Sequence, residues 1–266
     1  MATVKDIYRF IDTLAPFGIQ EGFDNAGFLV GRASQPVERI LTALDITLRV
    51  IEEAQAMGAQ LIVAHHPVIF QPLKSVTDED PTGARVLQLA RTGIAAICAH
   101  TNLDAVADGV NDALARTLGL ADLEQLAQAG EDGQGRPYGI GRVGVWKRRN
   151  LVYAPDFASF VKEQLNAPCV RYHDAGRAVS RVAVGGGSCG SMLMDAVAAG
   201  CDTFVTADVK HDVFLDAAEL GINLLDAGHF ATEAVVLEPL TQALQQAFPD
   251  LAVCQSTAHR EVYRAV

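Results

Sequence analysis

The chain has no long apolar run, no C-x-x-C pair, few aromatic residues and a deficit of positive charge. No stretch approaches the roughly 18–20 apolar residues that cross a bilayer, so no membrane partner is expected. Cys98, Cys169, Cys189, Cys201 and Cys254 are dispersed and odd in number, which argues against a disulfide framework and against a structural zinc knuckle. Lys and Arg number 21 against 32 Asp and Glu, a net charge of −11 that repels phosphate backbones and disfavours nucleic acid as a partner. The one basic cluster, Lys147-Arg148-Arg149, reads as a solvated turn. An anionic substrate stays compatible with the acidic average, because bound divalent cations invert the local field. The opening MATVKDIYRFIDTLAPFG reads as an amphipathic helix with Ile7, Phe10, Ile11 and Leu14 on one face. It lacks a basic segment followed by an apolar one, so no secretory leader is read and a cytoplasmic location is expected.

What the chain does have is a strand-then-helix alternation. β-rich runs occur at residues 40–44, 61–64, 95–99, 182–185, 203–206 and 223–226. Helical patterns lie between them at 49–57, 84–91, 110–118, 192–199 and 213–220, several closed by a glycine such as Gly58, Gly93 or Gly221. Near-continuous apolar strands alternating with helices predict an α/β fold, two α/β/α units with mainly parallel sheets covered on both faces. Residues 121–141 break the rhythm with AGEDGQGRPYGIG and mark an excursion or domain boundary.

Three predicted strands end in metal-type residues. LIVA runs into His65-His66, AAICA into His100 and Asp104, and NLLD into His229 and Glu233. Open parallel sheets bind ligands beyond the carboxyl ends of their strands, so these ends are expected on one rim. His65 and His66, as neighbours on a strand, should point to opposite sides and serve different ions of a pair about 3.5–4 Å apart. His229 and Glu233 are spaced i, i+4, on one face of a helix. Asp104 adds a carboxylate able to bridge, and the set leaves positions for water or substrate. Each has a plainer alternative: His65-His66 could cap the turn at Pro67, and Asp104 could cap the helix after it. His100 is a candidate acid/base. His173 and His259 have no such company and read as surface or structural residues.

A rival motif, Gly185-Gly186-Gly187-Ser188-Cys189-Gly190, follows a strand and opens a helix, with Asp208 about 20 residues on. It could hold phosphate on its amides, or be a tight turn that needs positive φ. Asn25, in the polar loop before FLVG, could line the site or form a turn.

In order, FDNAGFLVG, VAHHPVIF, AHTNLDAVADGVNDALA, VAVGGGSCGSML and DAGHFATE resemble the Nif3-like dinuclear metal-centre proteins, also known as type 2 GTP cyclohydrolase I homologues. The resemblance spans essentially the whole chain in its short form, without the inserted domain of longer members. It implies two divalent ions (Zn, Fe, Mn, Ni or Co) on His65, His66, Asp104, His229 and Glu233. The family's His before T-N-x-D matches His100, the candidate catalytic residue or a hydrogen-bond donor behind the ligands. Phe23 stands where the family usually has Trp before D-N, keeping an apolar plug. Asp212 stands where many members have a second His, while His211 remains. Further implications are a discontinuous architecture and a homo-oligomeric, ring-shaped hexamer. The domains are expected at 1–125 with 222–266, the metal-binding unit, and at 126–221, a smaller one.

The expected function is a dinuclear-metal hydrolase, GTP cyclohydrolase-like by resemblance, acting through a metal-bridging hydroxide on a nucleotide or related small molecule. The alternative is a non-enzymatic hexameric platform. Asn25, Gly187, Asp208, Lys210 and His211 are the candidate substrate contacts.

Overall fold

The computed structural model describes residues 1–147 and 150–266, so Arg148 and Arg149 of the basic cluster lie outside the described residues. In chain order the strands are β1 (Gly27–Val30), β2 (Arg39–Ala43), β3 (Leu61–Ala64), β4 (Ala95–Cys98), β5 (Ala121–Gln125), β6 (Gly130–Glu131) and β7 (Pro137–Tyr138). They continue as β8 (Arg142–Val145), β9 (Arg171–His173), β10 (Arg181–Val184), β11 (Thr203–Thr206), β12 (Asn223–Asp226) and β13 (Ala252–Gln255). All six predicted strands are present, and the chain forms two compact units.

The first unit is Met1–Leu103 with Leu237–Arg260. Its sheet has the order β1-β4-β3-β2-β13, parallel throughout except for the antiparallel edge strand β1. Side chains alternate across such a sheet. Leu41, Ala43, Ile62, Ala64, Ala96 and Cys98 therefore share one core with Val50, Ile51 and Leu89 from the covering helices. The first helix, Val4–Leu14, starts at a capping box between Thr3 and Asp6 and buries Val4, Ile7 and Ile11.

The second unit is Asp104–Val236 with Glu261–Val266. Its sheet has the order β5-β8-β10-β11-β12-β9, with β10, β11 and β12 parallel and the flanking strands antiparallel. Val182, Val184, Val205 and Leu225 face one core, whereas Ala183, Phe204 and Leu224 face the other. Both faces are covered, which explains the uninterrupted apolar runs.

The division of the chain differs from the expected one. The chain divides at Leu103/Asp104 and Val236/Leu237, so β12 belongs to the second sheet, paired with β11, and not to the first sheet. An apolar run such as NLLD carries no mark of which sheet it joins; its parallel register with β11 decides. The excursion at 121–141 holds β5 and the β6-β7 hairpin. β5 buries only alternate residues, and its sequence ADLEQ lacks the apolar run that marked the central strands. Among the described residues no helix is long and apolar enough to cross a membrane, and all five cysteines are free thiols.

Candidate metal centre

In the first unit, β2, β3 and β4 run parallel and end on the same edge, followed by Asp45, His65-His66 and His100. The chain bends directly after β3, where His65 N–H still donates to Ala43 O (3.2 Å) and His66 N–H to Leu44 O (2.9 Å). The bend ends the strand pleat, so the two imidazoles do not point to opposite sides. Their ring centroids are 4.9 Å apart, and the His100 ring lies 5.1 Å from His65 and 5.5 Å from His66. One nitrogen from each of the three falls within 4.8 Å of the others.

Each ring is held by its Nδ1 atom. That atom lies 2.8 Å from Ala99 O in His65, 2.8 Å from Asp45 Oδ1 in His66 and 2.8 Å from Asp24 Oδ1 in His100. Oxygen partners at Nδ1 fix the ring orientation and assign the ligand role to Nε2. Asp24 also accepts from Thr101 N–H (3.0 Å) and Thr101 Oγ1 (2.5 Å). Burial alone would raise its carboxyl, but the hydrogen bonds from His100 and Thr101 outweigh it and hold the group at about 2.

In the second unit, Gly228 (φ +86°) turns the chain from β12 into the helix His229–Glu233. His229 Nε2 lies 3.0 Å from the carboxylate of Glu233, which is only 3% exposed, and His229 Nδ1 lies 2.7 Å from Asp208 Oδ2. Asp208 adopts a left-handed backbone (φ +52°), a conformation rare outside glycine and tolerated by Asp. Its bond to His229 makes it the partner that orients the imidazole, a role the sequence reading did not assign. A cavity of about 320 Å³ lies beside it, lined by Asp208, His229, Arg171 and Tyr263 among others. Lys210 and His211 are exposed at the start of the helix His211–Leu220.

Four amides of the glycine-rich turn are spent on the protein. Gly185 N–H donates to Val205 O (2.9 Å), Gly186 to Asn111 Oδ1 (2.9 Å), Gly187 to Thr232 Oγ1 (3.0 Å) and Cys189 to Thr206 Oγ1 (3.1 Å). Gly187 (φ +66°) packs directly on Glu233, where a Cβ would fall 2.0 Å from Oε1. Asn111 also donates to the backbone carbonyl of the buried Asp104 (2.9 Å), tying that carboxylate's helix to the glycine turn. The Cys189 thiol is pushed up to about 12 by burial and by the charges of Asp104 and Glu233.

Asn25 donates to Ile69 O (2.5 Å) and so joins two loops. Phe23 is 64% exposed, so it is not a plug. His173 lies on the edge strand β9, and His259 is half-buried with Nδ1 accepting from Leu44 N–H (3.3 Å), a structural role. Asp45 was not among the expected residues. Its position just past a third strand of the same parallel set was the available signal.

The fold and these donors define an α/β protein with histidine and carboxylate groups able to hold a metal ion. The chain belongs to the Duf34/NIF3 (NGG1p interacting factor 3) family, whose model matches residues 2–261. A Clostridium perfringens relative named GTP cyclohydrolase 1 type 2 homolog is 33% identical over 244 residues, 91% of each chain. A hypothetical protein of Staphylococcus aureus, known from its crystal structure, superposes with a TM-score of 0.92 at 30% identity over 99% of each chain. A Bacillus cereus protein related to NIF3 has the same fold, with a TM-score of 0.92 at 24% identity over 100% of this chain and 99% of the other.

Proposed function

We propose that this chain is a metal-dependent hydrolase that holds two divalent ions on His65, His66, Asp104, His229 and Glu233 and acts on a nucleotide or related small molecule. One observation carries the reading. Each histidine proposed as a ligand or as the acid/base is anchored through Nδ1, to Ala99 O, Asp45 or Asp208 for the proposed ligands and to Asp24 for His100. Histidines that serve only as polar strand ends have no need of this uniform arrangement, whereas metal ligands do. Imidazole with carboxylate suits Zn, Fe, Mn, Ni or Co.

Such ions, when bound, act as Lewis acids and make water nucleophilic near neutral pH. The chain's own residues supply the rest. Asp45 and Asp208 hold the imidazoles in one tautomer and orientation. His100, fixed by Asp24, moves a proton at Nε2 to or from the reacting group. A nucleotide is favoured by the names of the curated relatives, and a ring-shaped hexamer in the cytoplasm completes the proposal.

Metal analysis of protein purified without chelators should find two ions per chain. The loaded protein should turn over GTP, a dinucleotide or a phosphoester when screened with Mn, Fe or Zn, and both His66→Ala and Glu233→Ala should abolish that turnover. Full metal occupancy with no turnover across the panel would favour the platform reading instead.

A further inference from the structure

In the first unit, the ring contacts do not stop at the histidines. Phe70 lies 6.0 Å from the His100 ring, edge to face at 85°, and Phe23 lies 6.4 Å from Phe70 at 63°. Both are exposed, 64% for Phe23 and 40% for Phe70, in a chain only 6% aromatic. Single exposed apolar residues are ordinary, but two in contact beside a polar cluster form a continuous surface.

The two loops that carry them are held firmly. Asn25 Nδ2 donates to Ile69 O (2.5 Å), joining the residue two after Phe23 to the one just before Phe70. Asp24, next to Phe23, is tied to His100 and Thr101. Gln20 closes the loop from inside, accepting from Ala26 N–H (2.7 Å) and donating to Phe17 O (2.9 Å). The phenyl rings are thus presented on a pre-organised frame, which lowers the entropy cost of holding a flat ligand.

We propose that Phe23 and Phe70 form a stacking corner for the planar heteroaromatic ring of the substrate, a nucleobase, next to His100. The inference rests on reading the histidine cluster as the reacting centre and names how the substrate is gripped there. Three features favour a base over an apolar helix of another protein. The corner is only two rings wide, the ring packed against Phe70 is the polar imidazole of His100 rather than an aliphatic side chain, and the Phe70 and His100 rings are only 6.0 Å apart. Stacking reads the π-face, so the corner accepts any base.

The test is binding of guanosine, adenosine and uridine to the intact protein, followed in the Phe23→Trp variant. The native Trp146 is buried, so emission from an exposed indole at position 23 is separable. All three nucleosides should quench it. Phe23→Ala and Phe70→Ala should weaken nucleoside binding roughly ten- to hundredfold, with metal content and tripolyphosphate binding unchanged, and Phe23→Leu should not restore it. Quenching with no metal in the native protein would sink the metal reading and leave the stacking corner standing. Equal nucleoside affinity in native and alanine variants would overturn the corner, as would full rescue by Phe23→Leu. A change of oligomeric state in the alanine variants, with nucleoside binding intact, would also overturn it and mark the pair as a contact between copies.

Discussion

Gly187 and Glu233 are fitted to each other: a single methyl group at 187 would lie 2.0 Å from the Glu233 Oε1 atom and 3.3 Å from His229 Cε1. The positive φ of Gly187 and its bonds to Thr232 and Thr206 leave the turn little room to retreat. The glycines therefore shape a space for a carboxylate.

Gly187→Ala should accordingly lower metal affinity at least about tenfold, the scale for disturbing groups that orient ligands. Gly133→Ala, with nothing within 4 Å of its added methyl, serves as the control and should bind metal like the native chain. Metal titration of both variants decides the matter.

Asp45→Asn and Asp208→Asn should each weaken metal binding about 10- to 100-fold, since an amide oxygen orients an imidazole less strongly than a carboxylate. Asn tolerates the left-handed backbone at 208, so the effect there would not come from lost backbone conformation. Asp24→Asn touches His100 rather than a proposed ligand. Its metal content should stay native while turnover falls, and a loss of metal would instead make His100 a ligand.

Asp24 also sets an acid limit for its loop. Its carboxyl is held at about 2 against an ordinary 3.8, so the ionised form favours the folded loop. That contribution is complete above about pH 4 and is lost as the pH falls toward 2. Amide exchange of residues 20–27 should accelerate across this window in the native chain. Asp24→Asn should lack the pH-dependent step.

Arg142 is nearly buried and pairs with Asp112, and it donates to Gly139 O and Gly141 O (2.8 Å each) and Val106 O (2.8 Å). Removing the guanidinium leaves Asp112 with only Arg116 at 3.7 Å and the Asp108 N–H, and takes a donor from three backbone carbonyls, so Arg142→Ala should cost about 3 kcal/mol in denaturant unfolding. A loss below 1 kcal/mol would mean that water replaces the guanidinium.

Thiol labelling should separate the cysteines. Cys254 is exposed on β13 and should react readily in the native protein. Cys98 is buried, its thiol pushed up to about 12, and should label only on unfolding.

Much of this protein is legible in its sequence. The α/β class, the six central strands and the metal-type residues beyond three strand ends follow from local signals: apolar runs, helical periods and closing glycines. Those signals act over a few residues, so the chain displays them directly. Other features depend on contacts between distant segments. Asp24 reaches His100 across 76 residues, Asp45 reaches His66 across 21, and Asp208 reaches His229 across 21. The sheet that β12 joins, the bend that turns His65 and His66 together, and the exposure of Phe23 and Phe70 likewise depend on register and packing. Residue types and strand ends come from the sequence by itself, because local periodicity specifies them. Which carboxylate orients which imidazole was decided only in the tertiary structure, because side chains so far apart in the chain meet only when the sheets have formed.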